Sequence, residues 1–359
     1  MCKFFCNIFL FCTLNISSTF AFAHPFIAVD TTTGRILAHN QAFERWYPAS
    51  LTKLMTAYVI FHAIKAGKIS PQHQITISKN AAKAPPSRSG YKAGSILTLE
   101  TALSITLVKS TNDLAIAMSE AVAGSQKAFV QEMNAQAQRL GMFGTHFANA
   151  SGLPDPNNYS TARDIALLAV QIRREFPQYA HYFSIPAIDF GNGAKIEFNS
   201  NNLIGRFDGI DGMKTGFICA SGFNLVASAT RNQRTIIAVI LGSDTIKKRE
   251  EKAAQLLEES FSHQGSMTLT LATLQPYGTK TKKITDMRHQ VCTPESIQIL
   301  VDAYDKKGNI ILTSPLINDV PAYVLPLSVK LISVPKKYKT QKKRVRKIPI
   351  PHQRPELHL

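Results

Sequence analysis

Ser50-Leu51-Thr52-Lys53-Leu54-Met55-Thr56-Ala57-Tyr58-Val59-Ile60-Phe61-His62 is the stretch from which the rest of the chain can be read. Leu51, Leu54, Met55, Tyr58, Val59 and His62 recur at steps of three and four, the period of an α-helix, and Gly67 supplies a stop, so a helix is predicted over 50–66. Its apolar residues extend around much of the cylinder, which predicts deep burial. A lysine in a buried helix needs a reason, because unpaired lysine is rarely buried. Lys53 stands three residues after Ser50, so the two side chains share a face one turn apart. An amine is thereby set beside a hydroxyl. A serine hydroxyl is a poor nucleophile until a neighbouring base takes its proton. A helix-borne lysine can be that base if burial and nearby positive charge lower its pKa. The helix N-terminus disfavours the ammonium form and offers N–H groups to a developing oxyanion. Serine at a helix start is also a common cap, so the pair has to be judged by its partners.

Two further tripeptides supply them. Ser110-Thr111-Asn112 joins two helices in the middle of the chain, and Lys214-Thr215-Gly216 opens a predicted strand near the end of the main region. Each signal alone is weak, since average usage gives roughly one S-x-x-K by chance in a chain of this length. Ser89-Gly90-Tyr91-Lys92, Ser333-Val334-Pro335-Lys336 and the S-x-N of Ser200-Asn201-Asn202 are decoys on this reading. The S-x-x-K decoys hold a glycine or a proline and have no helix around them. On chemical grounds Lys214 would anchor an anionic substrate group, and Gly216 would let a substrate strand lie close against the sheet edge. The bland readings are a turn or cap for Ser110 and Asn112 and a surface strand lysine for Lys214.

Around these motifs the chain organises itself. Residues 25–38 read as a hairpin, with Phe26-Ile27-Ala28-Val29 and Ile36-Leu37-Ala38 either side of turn residues. Residues 98–140 are helix-rich: Thr98 stands as a cap, Asp113–Ala121 and Gln126–Leu140 are helical, and Gly141 ends the run. Thr161–Arg173 is another helix. Leu225–Ala229 and Thr235–Leu241 are strands about a turn at Arg231-Asn232-Gln233, and 246–262 is a last helix. Strands open and close the region and helices fill its middle, which predicts an α+β layer fold with an antiparallel sheet. In residues 263–334 the runs Ile297–Val301, Ile310–Leu312 and Val329–Val334 predict short strands and a small β-rich C-terminal appendage.

The ends and the composition bound the setting. The 359 residues are 45% hydrophobic, enough for one large domain and an appendage. Lys3, an apolar run from Phe4 to Leu14 and Ala21-Phe22-Ala23 predict a cleavable export signal over 1–23, with a mature chain beginning at His24 and a catalytic domain over 24–262. No later segment is long and apolar enough to cross a membrane. Net charge is +17, and residues 335–359 hold nine Lys/Arg against one acid among four prolines, so that tail is expected to be disordered. A polybasic tail attracts polyanions. Export argues against nucleic acid and leaves anionic lipid or wall polymer. Beyond the signal only Cys219 and Cys292 remain. They could pair in an oxidising compartment or stay as thiols, with at least Cys219 buried; spacing does not decide. The ten histidines form no zinc motif, and no G-x-S-x-G elbow of an α/β-hydrolase is present.

The three motifs in this order resemble the set shared by β-lactamases and penicillin-binding proteins, with Thr111 where S-D-N has aspartate. Residues 25–262 are similar to the low-molecular-weight penicillin-binding proteins of the D-alanyl-D-alanine carboxypeptidase group. The similarity extends through Tyr47–Thr56, Thr145-His146-Phe147, Ser151-Gly152-Leu153, Ser160–Asp164, Asp211–Gly216 and Gly222–Ala227. It implies the β-lactamase/D,D-peptidase-like fold, an antiparallel sheet flanked by helices with an all-helical lobe. It also implies a serine-type carboxypeptidase acting on peptidoglycan pentapeptides ending in D-Ala-D-Ala. β-Lactams would be covalent inhibitors, no cofactor or metal is needed, and the location is periplasmic or cell-envelope. By resemblance Ser50 is the nucleophile, Lys53 the general base and Ser110 the proton relay toward the leaving D-alanine. Asn112 contacts the substrate amide, Lys214 and Thr215 bind the terminal carboxylate, Gly216 completes the substrate-binding set, and the backbone N–H groups of Ser50 and Phe217 form the oxyanion hole. Phe217 replaces a histidine common in the family, which keeps the backbone donor and removes any side-chain role. The rivals are an endopeptidase or transpeptidase with the same acyl-enzyme, and a β-lactamase. A class A lactamase needs a glutamate well ahead of K-T-G, and Glu197 with Asn201 stands too close to Lys214.

Overall fold

The computed structural model describes residues 24–191, 193–263, 269–306, 309–319 and 325–333. Residues 1–23, predicted as an export signal, and the basic tail lie outside them. In chain order the elements are β1 (Phe26–Asp30), β2 (Ile36–Asn40), α1 (Thr52–Lys65), β3 (Gln74–Thr76), β4 (Ile96–Thr98), α2 (Leu99–Lys109), α3 (Asn112–Ala123), α4 (Gln126–Leu140) and α5 (Ala162–Glu175). There follow β5 (Ala187–Asp189), β6 (Glu197–Phe198), β7 (Ile210–Ile218), β8 (Gly222–Arg231), β9 (Arg234–Ser243), α6 (Ile246–Ser262), α7 (Arg288–Val291), α8 (Pro294–Asp302) and β10 (Leu327–Ser328).

The main sheet has five strands in the order β2-β1-β9-β8-β7, all antiparallel. The opening hairpin therefore pairs with the strands that close the domain, and β7 is left as an edge. One face of the sheet carries α6 on a core of Leu225, Ala227, Ala238 and Leu257. The other packs against a helical lobe centred on α1, with α2, α3, α4 and α5 around it. Eleven of the fourteen residues of α1 are buried, as a helix apolar on nearly every side requires. The capping chemistry follows sequence: Thr98, Ser125, Thr161 and Thr245 each accept a backbone N–H from the residue three further on. Asn232 and Gln233, both at positive φ, make the β8–β9 turn.

Three local expectations are revised. Lys214-Thr215-Gly216 lies in the middle of β7 rather than at its start. Pro294–Asp302 is helical where Ile297–Val301 reads as a strand. The described residues of 269–333 run back along the main domain instead of forming a separate β appendage: Ile36 N–H donates to Leu269 O (2.9 Å), Val329 N–H to Asp189 O (2.9 Å) and Ile332 N–H to Ile96 O (2.8 Å). Ile310, Leu312 and Ile317 pack into the α6 side of the core. β10 adds to β5 as a two-residue parallel strand, and Val334 lies outside the described residues. Cys219 and Cys292 form a disulfide, which settles what spacing leaves open. Among the described residues no helix is long and apolar enough to cross a membrane.

Candidate active site

Ser50, the candidate nucleophile, sits on a tight turn ahead of α1. Ala49–Leu51 is a single 3-10 turn, Ala49 has a φ of 48°, and Ser50 is half-buried. Three braces fix this turn to the sheet. Asn224, fully buried on β8, donates to Tyr47 O (3.0 Å) and Pro48 O (3.3 Å) and accepts from Gly242 N–H (2.9 Å). Trp46 Nε1 donates to Ser221 O (2.8 Å). Gly216 on β7 comes so close that a Cβ there would lie 2.9 Å from Pro48 O and 3.0 Å from Ser50 N. The missing side chain of Gly216 thus faces the nucleophile's backbone, whereas sequence reasoning reserves that space for a substrate strand. From the helical side Gly152, at φ +84°, makes a closer approach still, since a Cβ would meet Ala49 O at 1.9 Å.

Lys53 is 1% exposed, and its Nζ meets three oxygens: Ser50 Oγ at 3.0 Å, Asn112 Oδ1 at 2.8 Å and Ser151 O at 2.5 Å. The last two positions are themselves fixed. Asn149 Oδ1 accepts from the N–H groups of Ser151 (3.2 Å), Gly152 (2.7 Å) and Leu153 (3.1 Å), which folds that loop so that Ser151 O points at the lysine. Asn112 Nδ2 donates to Pro85 O (3.1 Å) and Pro86 O (3.0 Å), which fixes its amide so that Oδ1 faces Lys53. Burial lowers the Lys53 pKa well below the usual lysine range and the Lys214 ammonium lowers it further, while the Asp113 carboxylate offsets part of this. A neutral amine has two N–H bonds and one lone pair. Ser151 O and Asn112 Oδ1 can only accept. Lys53 Nζ donates to both and to Ser50 Oγ; in the neutral form its two N–H bonds would go to the two acceptors and its lone pair would face the Ser50 hydroxyl.

Ser110 caps the C-terminus of α2 with φ 63° and ψ 34°, the left-handed region. Thr111 is fully buried, within hydrogen-bonding distance of Thr106 Oγ1 (3.1 Å), so it fills structure where the S-D-N set has a carboxylate. Asp113 instead anchors the loop above it, accepting from Ser89 N–H and Ser89 Oγ (2.6 Å). Lys214 is 1% exposed and donates to Thr215 O (3.0 Å); burial first, then the Arg249 charge, lowers its pKa to about 7. A protonated ammonium has three N–H bonds, so donors remain for a carboxylate. The Phe217 ring stacks on Phe223, with centroids 4.3 Å apart.

Of the sequence candidates, Ser50, Lys53 and Asn112 are joined by direct hydrogen bonds, and Gly216 lies against Ser50. Thr215 belongs to a second cluster that sequence reasoning missed. Its hydroxyl bonds Ser200 Oγ (2.6 Å), and Arg249 donates to Ser200 O (3.2 Å) while pairing with the buried Glu250. Ser200-Asn201-Asn202, dismissed as a decoy, therefore borders the site, with Asn201 Nδ2 holding Gly212 O (2.9 Å). Only the polarity of that run hinted at it. Glu197, the lactamase mimic, forms an ion pair with Lys109. Among the described residues no cluster of three His, Cys, Asp or Glu is placed to hold a metal.

A lysine-backed serine, a relay-type S-x-N and a K-T-G edge strand between a five-stranded antiparallel sheet and a helical lobe define the penicillin-binding D,D-peptidase class of fold. Residues 16–245 match the D-alanyl-D-alanine carboxypeptidase family, and the chain belongs to it. It is 36% identical over 241 residues to the D-alanyl-D-alanine carboxypeptidase DacD of Escherichia coli, an alignment covering 66% of this chain and 62% of that one. The crystal structure of E. coli penicillin-binding protein 6B superposes with a TM-score of 0.61 at 37% identity, over 66% of this chain and 77% of that one. Penicillin-binding protein D2 of Listeria monocytogenes, solved with ampicillin bound, gives 0.60 at 27% identity, over 66% and 96%. The chain thus spans about three-fifths of the length of the curated DacD relative.

Proposed function

We propose that the protein is a serine-type carboxypeptidase that removes the terminal D-alanine from peptidoglycan stem pentapeptides and is acylated by penicillins. One observation carries this reading: the Lys53 amine, buried and held by two acceptors, faces the Ser50 hydroxyl at 3.0 Å. Ser50 Oγ attacks the carbonyl of the penultimate D-alanine as its proton passes to Lys53 Nζ. The N–H groups of Ser50 and Phe217 receive the oxyanion. Ser110 relays a proton to the departing amine. Lys214 and Thr215 bind the terminal carboxylate, in a pocket whose positive charge Arg249 augments. Asn112 contacts the substrate amide only by yielding one of its bonds to Pro85 O or Pro86 O. Water then releases the shortened peptide by the reverse sequence. The relative solved with ampicillin bound supports β-lactam binding. The Glu197–Lys109 ion pair weighs against a lactamase-type glutamate.

Intact-protein mass spectrometry after incubation with benzylpenicillin and with a D-Ala-D-Ala pentapeptide tests this. The expected results are a long-lived penicillin adduct, release of one D-alanine, and loss of both in Ser50→Ala. Labelling of Ser50→Ala refutes the assignment; rapid release of hydrolysed penicillin makes the protein a lactamase; cleavage of cross-linked dimers makes it an endopeptidase. Export by the 1–23 segment and attraction of the 335–359 tail to anionic lipid or wall polymer belong to the same proposal. The disulfide, a bond that persists in oxidising compartments, supports the first.

A further inference from the structure

Residues 277–292 of the C-terminal strap lie against the main domain on two sides, one leading to the Ser50 turn and the other to the K-T-G strand. Toward the nucleophile, the Tyr277 hydroxyl accepts from Ala42 N–H (3.0 Å) with its ring edge-on to Phe43, and Thr285 N–H donates to Arg45 O (3.3 Å). Ser50 follows Arg45 by five residues. Toward K-T-G, Met287 N–H donates to Ala220 O (3.1 Å), and Met287 Sδ lies so near Gly222 and Gly242 that a Cβ there would be 2.8 Å and 3.1 Å from it. The Cys219–Cys292 bond closes this contact covalently, three residues beyond Gly216. Trp46 completes the bracket, with Nε1 on Ser221 O and its ring against Gly242. β7 needs such support, because among the described residues it is an edge strand whose one neighbour in the sheet is β8. Its far end carries the Phe217 donor, and the Ser50 donor sits on a turn outside the sheet.

We propose that residues 277–292, locked by the Cys219–Cys292 bond, are a positioning device for acylation that fixes the K-T-G strand against the Ser50 turn. The bond touches no reacting atom. It acts through the spacing between the two segments, where a displacement of about 1 Å can cost as much as a hundredfold in rate. The enzyme is then fully competent only when this bond is oxidised.

The inference rests on the Ser50 acylation proposed above, so its test reads rate and extent separately. The full-length oxidised protein is compared with Cys219→Ser/Cys292→Ser and with wild type reduced by tris(2-carboxyethyl)phosphine. The phosphine delivers two electrons to the S–S bond, giving two thiols, and takes up oxygen from water as its oxide. The second-order rate of labelling by a fluorescent penicillin is measured at 20 °C, with circular dichroism and intact mass alongside. The expected result is labelling slowed about tenfold or more, with the final stoichiometry and the dichroism unchanged, and recovery of rate on reoxidation of the reduced wild type. Equal rates in oxidised and bond-free protein overturn the proposal and leave a simple stability staple. Should the double variant not fold, Met287→Ala keeps the bond and loosens the strap, and an unchanged rate there overturns the proposal equally. No labelling of the oxidised wild type is a different failure, that of the acylation reading itself.

Discussion

Lys214 shows how far this site trades stability for chemistry. Its pKa falls from 10.5 to about 7 on burial. Between those values the unfolded chain binds more protons than the folded one, so this group makes stability rise with pH from about 7 to about 10.5, and below pH 7 its full cost is present. Lys214→Met is therefore expected to raise the urea midpoint at pH 6–7 by the equivalent of a few kcal/mol, with the gain fading toward pH 10, while turnover of substrates with a free carboxylate falls. A midpoint lowered at pH 6 would show that the charged lysine is satisfied after all. Ser110 makes a similar trade in backbone conformation. Its left-handed φ favours glycine, and the proposed relay requires serine, so Ser110→Gly should stabilise by up to about 1 kcal/mol and slow the release of D-alanine. A thermal melt beside the rate of D-alanine release from a pentapeptide checks both halves. Gly152→Ala should do harm on both counts. Its Cβ would overlap Ala49 O, so the Ser50 turn must shift, and a roughly hundredfold slower acylation is expected with normal secondary structure. At this scale the approach of Ser50 and Lys53 was legible, because i, i+3 spacing in a helical turn forces two groups together. The supports were not, since Gly152, Asn149 and Ser200 act through approaches between distant segments that no spacing encodes.

The elements that carry the motifs announce themselves through periodicity and caps. α1 and α6 have the three-and-four apolar pattern, and the β8–β9 hairpin has two strand runs about a polar turn. α8 misled for an identifiable reason. Ile297, Ile299 and Val301 have the bulk of a strand, yet Pro294 at the first helical position and Glu295 in the first turn are helix-start signals, and these prevailed. What no single element discloses is how the Ser50 turn is attached to the sheet. Asn224 makes that attachment from β8 with both ends of its amide, to Tyr47 and Pro48 on one side and Gly242 on the other. Asn224→Ala removes the side-chain partners of Tyr47 O and Gly242 N–H at once, while Pro48 O keeps the Leu51 N–H. The expected cost is about 3 kcal/mol in stability, together with slower acylation because the turn loses its brace. Asn224→Asp should restore only the bond to Gly242. If acylation in Asn224→Ala matches wild type, the Trp46 bond and the Gly216 and Gly152 packing suffice to hold the turn.

For the whole molecule, the composition holds two separate messages. The body folds about one sheet with a core on each face, and that architecture was predictable from the order of strands, helices and strands. The course of residues 269–333 was not, because a strap takes its structure from the surface it crosses and carries little pattern of its own. The charge belongs to neither. Close to half of the net +17 is concentrated in residues 335–359, next to the point where Ser333 bridges Ile96 at the edge of the helical lobe. A tail so charged, with four prolines, has no use for a core. Each Lys or Arg brought near an anionic bilayer contributes about 1 kcal/mol, an attraction that salt screens over about 10 Å at 0.1 M. Deleting 335–359 is thus expected to abolish co-sedimentation with vesicles containing phosphatidylglycerol at 50 mM salt and to leave release of D-alanine from a soluble pentapeptide unchanged. The full chain should itself come off the vesicles at 500 mM salt. Were the truncated protein to sediment as the full chain does, attraction would have to come from the body, where Leu325, Leu327 and Ile332 are exposed at the start of the tail, and salt would then have little effect.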